Sequence, residues 1–248
     1  KLRVMEENKE SVIDVLSTAL PHIVSGVILK KREELIPVLL MAIRFHPVEE
    51  KRTQLTQLLF NLVKIPTEHQ RKSILDGWEW LAQLQGPDRV AQELLPSCWE
   101  QINNKYAERR VLVAECAGRL GNAVTAEMRA SLLVSIVTSL LADSEAPVRR
   151  SATSNLARLL LPRPDDIDAA QVDEKKYKDL RDLLMKTLHD NDVEVKNIAR
   201  QILLPVFADW AEREEFLFPK FANSLLDGIA TIVNVSLALK LPSDTHLL

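Results

Sequence analysis

The sequence predicts an all-α protein built as an α-solenoid, and three observations support that fold class. Apolar residues recur at helical spacings, as in Ala152, Leu156 and Leu159, which places them on one helix face. Only 6 of the 248 residues are glycine, which leaves few residues for tight β-hairpin turns. Finally, the segments that begin at Leu141 and Leu188 share five matched positions at one offset of 47 residues, from 188 − 141. Paired helices repeated along the chain account for all three observations.

The repeat can be followed through most of the chain by the start of the second helix in each pair. The steps between these starts are 36, 39, 39 and 47 residues, read directly from their positions. We therefore expect residues 1–248 to form one right-handed superhelix of about five helical hairpins plus a C-terminal capping helix. We also expect a polar loop at 162–172 and a disordered tail at 242–248. The five predicted second helices begin at about Lys31, Thr67, Tyr106, Glu145 and Asp192.

Particular residues mark the ends and irregularities of these helices. Thr67 and Gln70 have the spacing of a capping box, in which each side chain bonds the other residue's backbone N–H. Pro96 lies inside a predicted helix and should bend it, because proline cannot donate the backbone hydrogen bond.

A charged pattern at the hairpin turns narrows the type of repeat. Repeats of about 40 to 47 residues are typical of HEAT and armadillo arrays. Asp143 with Arg149, and Asp190 with Lys196, match the HEAT pattern of an acidic turn followed by Val-Arg or Val-Lys. In such repeats the basic side chain bridges to an acidic residue of the neighbouring hairpin. We therefore interpret these four residues as an architectural ladder.

Composition and motifs argue against several functional classes. The formal net charge is −3, so the chain lacks the basic surface typical of nucleic-acid binders. Cys98 and Cys116 lie in apolar helical contexts without CxxC spacing, and we expect buried, reduced thiols in a cytoplasmic protein. No HExxH, GxxxxGK[ST] or GxGxxG motif occurs, so we predict no catalytic, cofactor-binding or metal site. The chain begins at Lys1 rather than Met, and we expect it to be part of a longer protein.

The four tryptophans are candidates either for the core or for partner contacts. Trp78 falls on the apolar stripe of its helix and is expected in the core. Trp80 lies off that stripe, so it is a candidate partner anchor unless a neighbouring hairpin covers it. Trp99 and Trp210 each follow a Leu-Leu-Pro segment, and we expect both to fill the space that a bent helix opens.

Two segments also resemble a known family. Residues 31–75 and 89–120 are similar to the HEAT region of the RELCH family, and the most specific part is LLP-x-CWEQIN-x-KY-x-ERR at 94–110. RELCH proteins combine a LisH motif, a coiled coil and C-terminal HEAT repeats. The resemblance implies a non-catalytic cytosolic scaffold that binds the GTP-bound Rab GTPase of recycling endosomes and oxysterol-binding protein at the trans-Golgi network. It also implies roles in membrane tethering and non-vesicular sterol transfer, with indirect or peripheral membrane contact.

The resembling segment points to one hairpin turn as a candidate partner surface. Asn103, Tyr106, Arg109 and Arg110 cluster there, although Arg109 or Arg110 could instead be the register-fixing base of this hairpin. Other functional classes stay open from the sequence: a HEAT adaptor of another kind (phosphatase scaffold, transport receptor or tubulin-binding array), or an enzyme. An enzyme predicts a closed pocket with convergent titratable groups.

Overall fold

The structure is a computed structural model that describes residues 2–162, 174–215, 217–227 and 230. Within these residues all regular secondary structure is helical, which confirms the all-α class. The predicted tail at 242–248 and all of the predicted 162–172 loop except Pro162 lie outside the described residues.

Ten helices form the five hairpins within the described ranges, and the second helices begin close to their predicted positions. A 3₁₀ segment at Leu29–Leu35 precedes the second helix of the first hairpin, and a π-helical segment at Leu217–Ala222 follows the fifth hairpin, where the capping helix was predicted. The first helices are α1 (Leu2–Gly26), α3 (Glu49–Phe60), α5 (87–101), α7 (126–140) and α9 (Glu174–Leu188). The second helices are α2 (Ile36–Phe45), α4 (Glu68–Gln85), α6 (Ala107–Leu120), α8 (Ala146–Leu160) and α10 (193–213).

The predicted capping box opens α4. The Thr67 hydroxyl accepts from the Gln70 backbone N–H at 3.3 Å, and Gln70 Oε1 accepts from the Thr67 N–H at 3.1 Å. Two otherwise unbonded donors at the helix start are thereby satisfied. The boundary between the two helices of the second hairpin is therefore encoded locally.

Two helices contain a π-turn directly before a proline. In α5 the π-turn spans Val90–Leu94 and Pro96 follows; in α10 it spans Ala199–Leu203 and Pro205 follows. Proline has no backbone N–H, so the regular i to i−4 bonding pattern cannot continue through it. Helix α7 has a π-turn of the same length at Arg129–Leu133 without a proline, so the bend expected at Pro96 stays a prediction.

The second helices form one continuous layer that supplies much of the core. Every second helix contributes at least one side chain with no solvent exposure. Full burial of an aliphatic side chain contributes about 1.5–3 kcal/mol, so each hairpin depends on its neighbours to cover its apolar stripe. These side chains are Leu39, Leu81, Leu112, Val148 and Val195.

Three of the four tryptophan positions agree with expectation, and one does not. Trp78 is buried against the Phe60 ring at a centroid distance of 4.9 Å, and Trp210 is buried beside Phe207 at 5.1 Å. Trp80 is 38% exposed, as its position off the stripe indicates. The prediction for Trp99 is wrong, because this side chain is 53% exposed.

The two Leu-Leu-Pro segments differ in the number of residues between the proline and the tryptophan that follows it. Trp99 comes three residues after Pro96, whereas Trp210 comes five residues after Pro205. At about 100° per residue, this difference rotates the two side chains by roughly 200° relative to each other. One therefore faces the core and the other faces solvent.

Candidate protein-interaction surfaces

The turns between helices are joined by arginine–aspartate bridges. Arg149 donates from Nε and Nη2 to the two carboxylate oxygens of Asp190, at 2.7 and 2.8 Å. Arg110 makes the same bidentate contact with Asp143, at 2.6 and 2.8 Å. Paired N–H donors match the geometry of a carboxylate, so each bridge fixes the register of two adjacent hairpins.

Each bridge is also tied to its own turn. Arg149 donates to the backbone oxygen of Asp143 at 2.9 Å, and Asp190 Oδ1 accepts from the Asp192 N–H at 2.8 Å. The Arg149 hydrogen bond, together with that backbone donor, holds the pKa of Asp190 below its usual range despite partial burial. The same causes lower the pKa of Asp143, where Arg110 and the Glu145 N–H outweigh desolvation.

These arginines belong to a longer series that recurs every 39 residues: Arg32, Arg71, Arg110 and Arg149. Each donates to a backbone oxygen five or six residues earlier and to an acceptor in the next hairpin. The acceptor of Arg32 is the Leu62 carbonyl oxygen at 3.2 Å. The 39-residue spacing of these arginines was not recognised from the sequence, because the match that identified the charged turns lies in the last two hairpins, which are offset by 47 residues.

Glu115 accepts the Arg71 bridge in place of a turn aspartate. Arg71 Nε lies 3.2 Å from Glu115 Oε2 on α6. The turn position equivalent to Asp143, 39 residues earlier, is Asn104, which carries no charge. Burial raises the pKa of Glu115 despite the nearby Arg71 and Arg119.

The last member of the predicted ladder differs from the others. Lys196 stands 47 residues after Arg149, and the eight extra residues fall in the connection before α9. Lys196 is half-buried and has no ion pair with any residue that the structure describes. Its architectural role stays a prediction.

Arg109 occupies a buried position at the predicted partner turn. Its side chain is 2% exposed, and its guanidinium donates to the backbone oxygens of Phe60 and Val63 and to Asn61 Oδ1. Burial lowers its pKa to about 10. Arg109 therefore closes the C-terminal end of α3, where a helix presents unbonded carbonyl oxygens.

The remaining residues of that turn are more accessible. Asn103 is exposed, and Tyr106 is half-buried with the Lys105 ammonium 5.0 Å from its ring centroid. Because Arg109 and Arg110 are held inside the fold, a partner contact at this turn would fall mainly to Asn103 and Tyr106. That contact stays a prediction.

Trp80 lies on a separate surface. The second helices run parallel, since Glu115 pairs with Arg71 and Arg119 pairs further along with Asp76. Trp80 is 12 residues beyond the start of α4, which is about 18 Å along a helix, whereas Tyr106 immediately precedes α6. The structure therefore does not bring these two candidates together.

An open groove runs between α4, α6 and α8 on the second-helix layer, with a volume of about 1060 Å³. The Arg71–Glu115 bridge lies along it, and Arg119, Arg150 and Arg158 also line it. Arg119 and Arg150 are paired with carboxylates, so the groove has mixed charge. Its open, mixed surface fits contact with a macromolecule better than enclosure of a small molecule.

The described part of the chain contains no group of three or more His, Cys, Asp or Glu side chains placed to hold a metal ion. Over the same residues, no helix combines the length and apolar character needed to traverse a bilayer.

Stacked hairpins joined by turn bridges, with grooves on the outside, define a helical-repeat protein of the HEAT type. The family model described as "RAB11-binding protein RELCH N-terminal domain" matches residues 5–245. This chain belongs to the RELCH family. The description calls the matched region N-terminal, whereas the sequence resemblance assigned it to repeats near the C-terminal end of the family architecture.

Several curated relatives support the assignment. The RAB11-binding protein RELCH of Homo sapiens is 41% identical over 227 residues, and the homolog of Danio rerio is 40% identical over 227 residues. Each alignment covers 92% of this chain but only 18% of the relative. The Mus musculus protein is 39% identical over 223 residues, or 88% of this chain. The chain thus spans less than a fifth of the length of these relatives.

Proposed function

We propose that this chain is a non-catalytic interaction module that binds a Rab GTPase of recycling endosomes in its GTP-bound form. The observation that carries the proposal is the alignment of 92% of the chain, at 40–41% identity, with relatives whose names describe binding to RAB11. An array of rigid hairpins suits this role because it presents fixed side chains over an extended surface.

The surface around Trp80 is the proposed contact. Leu40 of α2 packs over Gly77 of α4, and Arg44 Nη1 donates to the Leu84 backbone oxygen at 3.3 Å. Along the chain, Met41 lies between Leu40 and Arg44, and Trp80 lies between Gly77 and Leu84.

The side chains of this surface combine an aromatic anchor with flexible apolar neighbours. Met41 is 47% exposed and Leu84 is 44% exposed, and Leu84 lies about one helical turn after Trp80 on α4. Tryptophan residues in such settings often dominate the binding energy of protein interfaces. Arg44 adds a positive charge at the edge that can pair with an acidic group of the partner.

A matched pair of tryptophan variants tests the proposal. Trp80 lies in the second-helix layer and Trp99 in the first-helix layer, and both are partly exposed on stable helices. The purified chain would be titrated with a RAB11-class GTPase loaded with a GTP analogue or with GDP. We expect the GTP-loaded form to bind, Trp80→Ala to weaken binding at least tenfold, and Trp99→Ala to have little effect.

The opposite pattern would identify the wrong surface. If Trp99→Ala weakens binding and Trp80→Ala does not, the contact lies on the first-helix layer. If the wild-type chain binds neither nucleotide form, or binds both equally, the proposed function is rejected for this segment. Melting temperatures of both variants serve as the folding control.

The cellular role of the longer protein is a further part of the proposal. We infer that the module contributes to a cytoplasmic scaffold that tethers recycling endosomes to the trans-Golgi network, contacts oxysterol-binding protein and supports non-vesicular sterol transfer. Family resemblance supports this role, with membrane contact through partners. Co-precipitation of oxysterol-binding protein by the full-length protein and by the protein lacking residues 1–248 would test the contribution of this segment.

A further inference from the structure

A small pocket lies between the turns of the second and third hairpins. Its volume is about 240 Å³, which corresponds to roughly eight waters at about 30 Å³ each. Three of its lining residues are cationic, two are amides, one is a tyrosine, and none is acidic. They are Asn61, Lys64, Asn104, Lys105, Tyr106 and Arg109.

Arg109 forms the inner wall of this pocket, and no carboxylate among the described residues balances its charge. No carboxylate of the described residues lies within ion-pair distance of its guanidinium, whose bonds go to backbone oxygens and to amide oxygens of Asn61 and Gln101. These acceptors satisfy its N–H groups but supply only partial negative charge. The neighbouring carboxylate, Glu108, lines the larger groove instead.

The two lysines provide positive charge at the rim. Lys64 and Lys105 are exposed, and neither forms an ion pair with a described residue. The Lys105 ammonium lies 5.0 Å from the Tyr106 ring centroid, which holds it beside the pocket. An anion at the mouth would therefore meet exposed donors on the outside and a fixed cation within.

We propose that this pocket binds a phosphate group, either as a free phosphoester or as the phosphomonoester headgroup of a lipid. A dianionic phosphate matches three converging cations better than a singly charged carboxylate does, because each cation contributes Coulomb attraction. The amide side chains of Asn61 and Asn104 add hydrogen-bonding capacity at the same mouth. None of these observations depends on GTPase binding, so the site can exist whether or not the proposed function holds.

The first experiment measures phosphate binding to the whole 248-residue chain. Inorganic phosphate would be titrated at constant ionic strength, with chloride as the reference anion, and followed by nuclear magnetic resonance shifts of the turn residues. We expect saturable shifts at Asn104, Lys105 and Tyr106. Because Arg109 also supports the fold, the test variant is Lys64→Ala with Lys105→Ala, which should weaken binding at least tenfold.

A charge-matched control distinguishes a specific phosphate site from nonspecific attraction of phosphate to positive charge. Lys178→Ala with Lys186→Ala removes two exposed lysines of α9, far from the pocket, and should leave the phosphate affinity unchanged. Equal losses in both double variants, or no saturable shift in the wild-type chain, would overturn the proposal. Unchanged melting temperatures of both double variants, measured without phosphate, show that folding is preserved.

Vesicles distinguish the two sources of the phosphate group. The chain would be sedimented with vesicles that contain phosphatidic acid, a phosphomonoester, or the same fraction of phosphatidylglycerol, a phosphodiester. Preference for phosphatidic acid that is lost in the Lys64/Lys105 variant identifies a lipid headgroup. Saturable binding of inorganic phosphate without that preference identifies a soluble phosphate group as the ligand. Absence of both would overturn the proposal, and a failed GTPase titration would leave it standing.

Discussion

Gly118 of α6 lies directly under the side chain of Asn155 on α8, so closely that a Cβ atom at position 118 would overlap the amide oxygen. The amide nitrogen of Asn155 donates to the Ser151 backbone oxygen at 2.8 Å, which restrains that side chain. Two second helices can approach this closely only because one of them has no side chain at the contact.

Gly118→Ala should therefore lower the free energy of unfolding by about 1–3 kcal/mol through overpacking. The better helix propensity of alanine offsets part of this effect. Chemical denaturation measures the change. In the Asn155→Ala background, Gly118→Ala should reduce the free energy of unfolding much less. If the effects of the two substitutions on the free energy of unfolding simply add, the overlap is relieved elsewhere.

The Arg149–Asp190 bridge should contribute to stability in a pH-dependent manner. The folded pKa of Asp190 lies below the unfolded value of about 3.9. Its contribution is therefore present in full above the unfolded pKa and is lost as the pH falls through the folded pKa. Asp190→Asn should remove about 1–2 kcal/mol at pH 7 and much less in strong acid.

Urea denaturation at several pH values between 7 and 2 tests this dependence. Asp179→Asn is the control, because Asp179 is an exposed aspartate on α9, the helix that ends just before Asp190. If Asp190→Asn lowers the free energy of unfolding by the same amount at every pH, the loss does not come from the ion pair between the charged Asp190 and Arg149.

Arg109 should behave mainly as a structural residue. Replacing it with methionine leaves the buried backbone oxygens of Phe60 and Val63 without their donor, at about 1–3 kcal/mol for each. We expect Arg109→Met to lower the melting temperature clearly, whereas Asn103→Ala should change stability by no more than about 0.5 kcal/mol. A stable Arg109→Met protein with lost GTPase binding would instead make Arg109 a partner contact.

Cys98 and Cys116 should be unreactive in the folded protein. Their sulfur atoms lie 3.3 Å apart, both thiols are free, and neither is exposed. Burial raises the pKa of the Cys116 thiol well above its usual value, so the reactive thiolate is scarce. Iodoacetamide at pH 8 should modify neither cysteine quickly, but both after unfolding in guanidinium chloride. Rapid modification of the folded chain would contradict the packing of α5 against α6.

The hairpins were predictable because their signals are local. Helix spacing, the Thr67–Gln70 capping box and the prolines each act within a few residues, so the sequence determines them without knowledge of distant contacts. The exposure of Trp99 was mispredicted because two similar Leu-Leu-Pro segments place their tryptophans at different helical angles. Such a rotation is visible only when the offset from the proline is counted.

The turn contacts were only partly predictable. Arg149 was predicted from the 47-residue offset and Arg110 was one of two candidates for its hairpin, but the 39-residue spacing that links them to Arg32 and Arg71 was not recognised. Arg71 pairs with Glu115 because the equivalent turn position holds the neutral Asn104. The partner of Arg71 therefore depends on residues of two hairpins. Partners of long, flexible side chains are settled by tertiary packing, which no local pattern specifies.

The arginine series also determines how the array would respond to force. Each link joins only adjacent hairpins, so tension applied along the stack would pass from one link to the next. Arg32 donates a single hydrogen bond to a neutral carbonyl oxygen, whereas Arg110 and Arg149 each form a bidentate ion pair with a carboxylate. Under such tension the first hairpin would separate from the array first, and the third to fifth hairpins would be the last to separate.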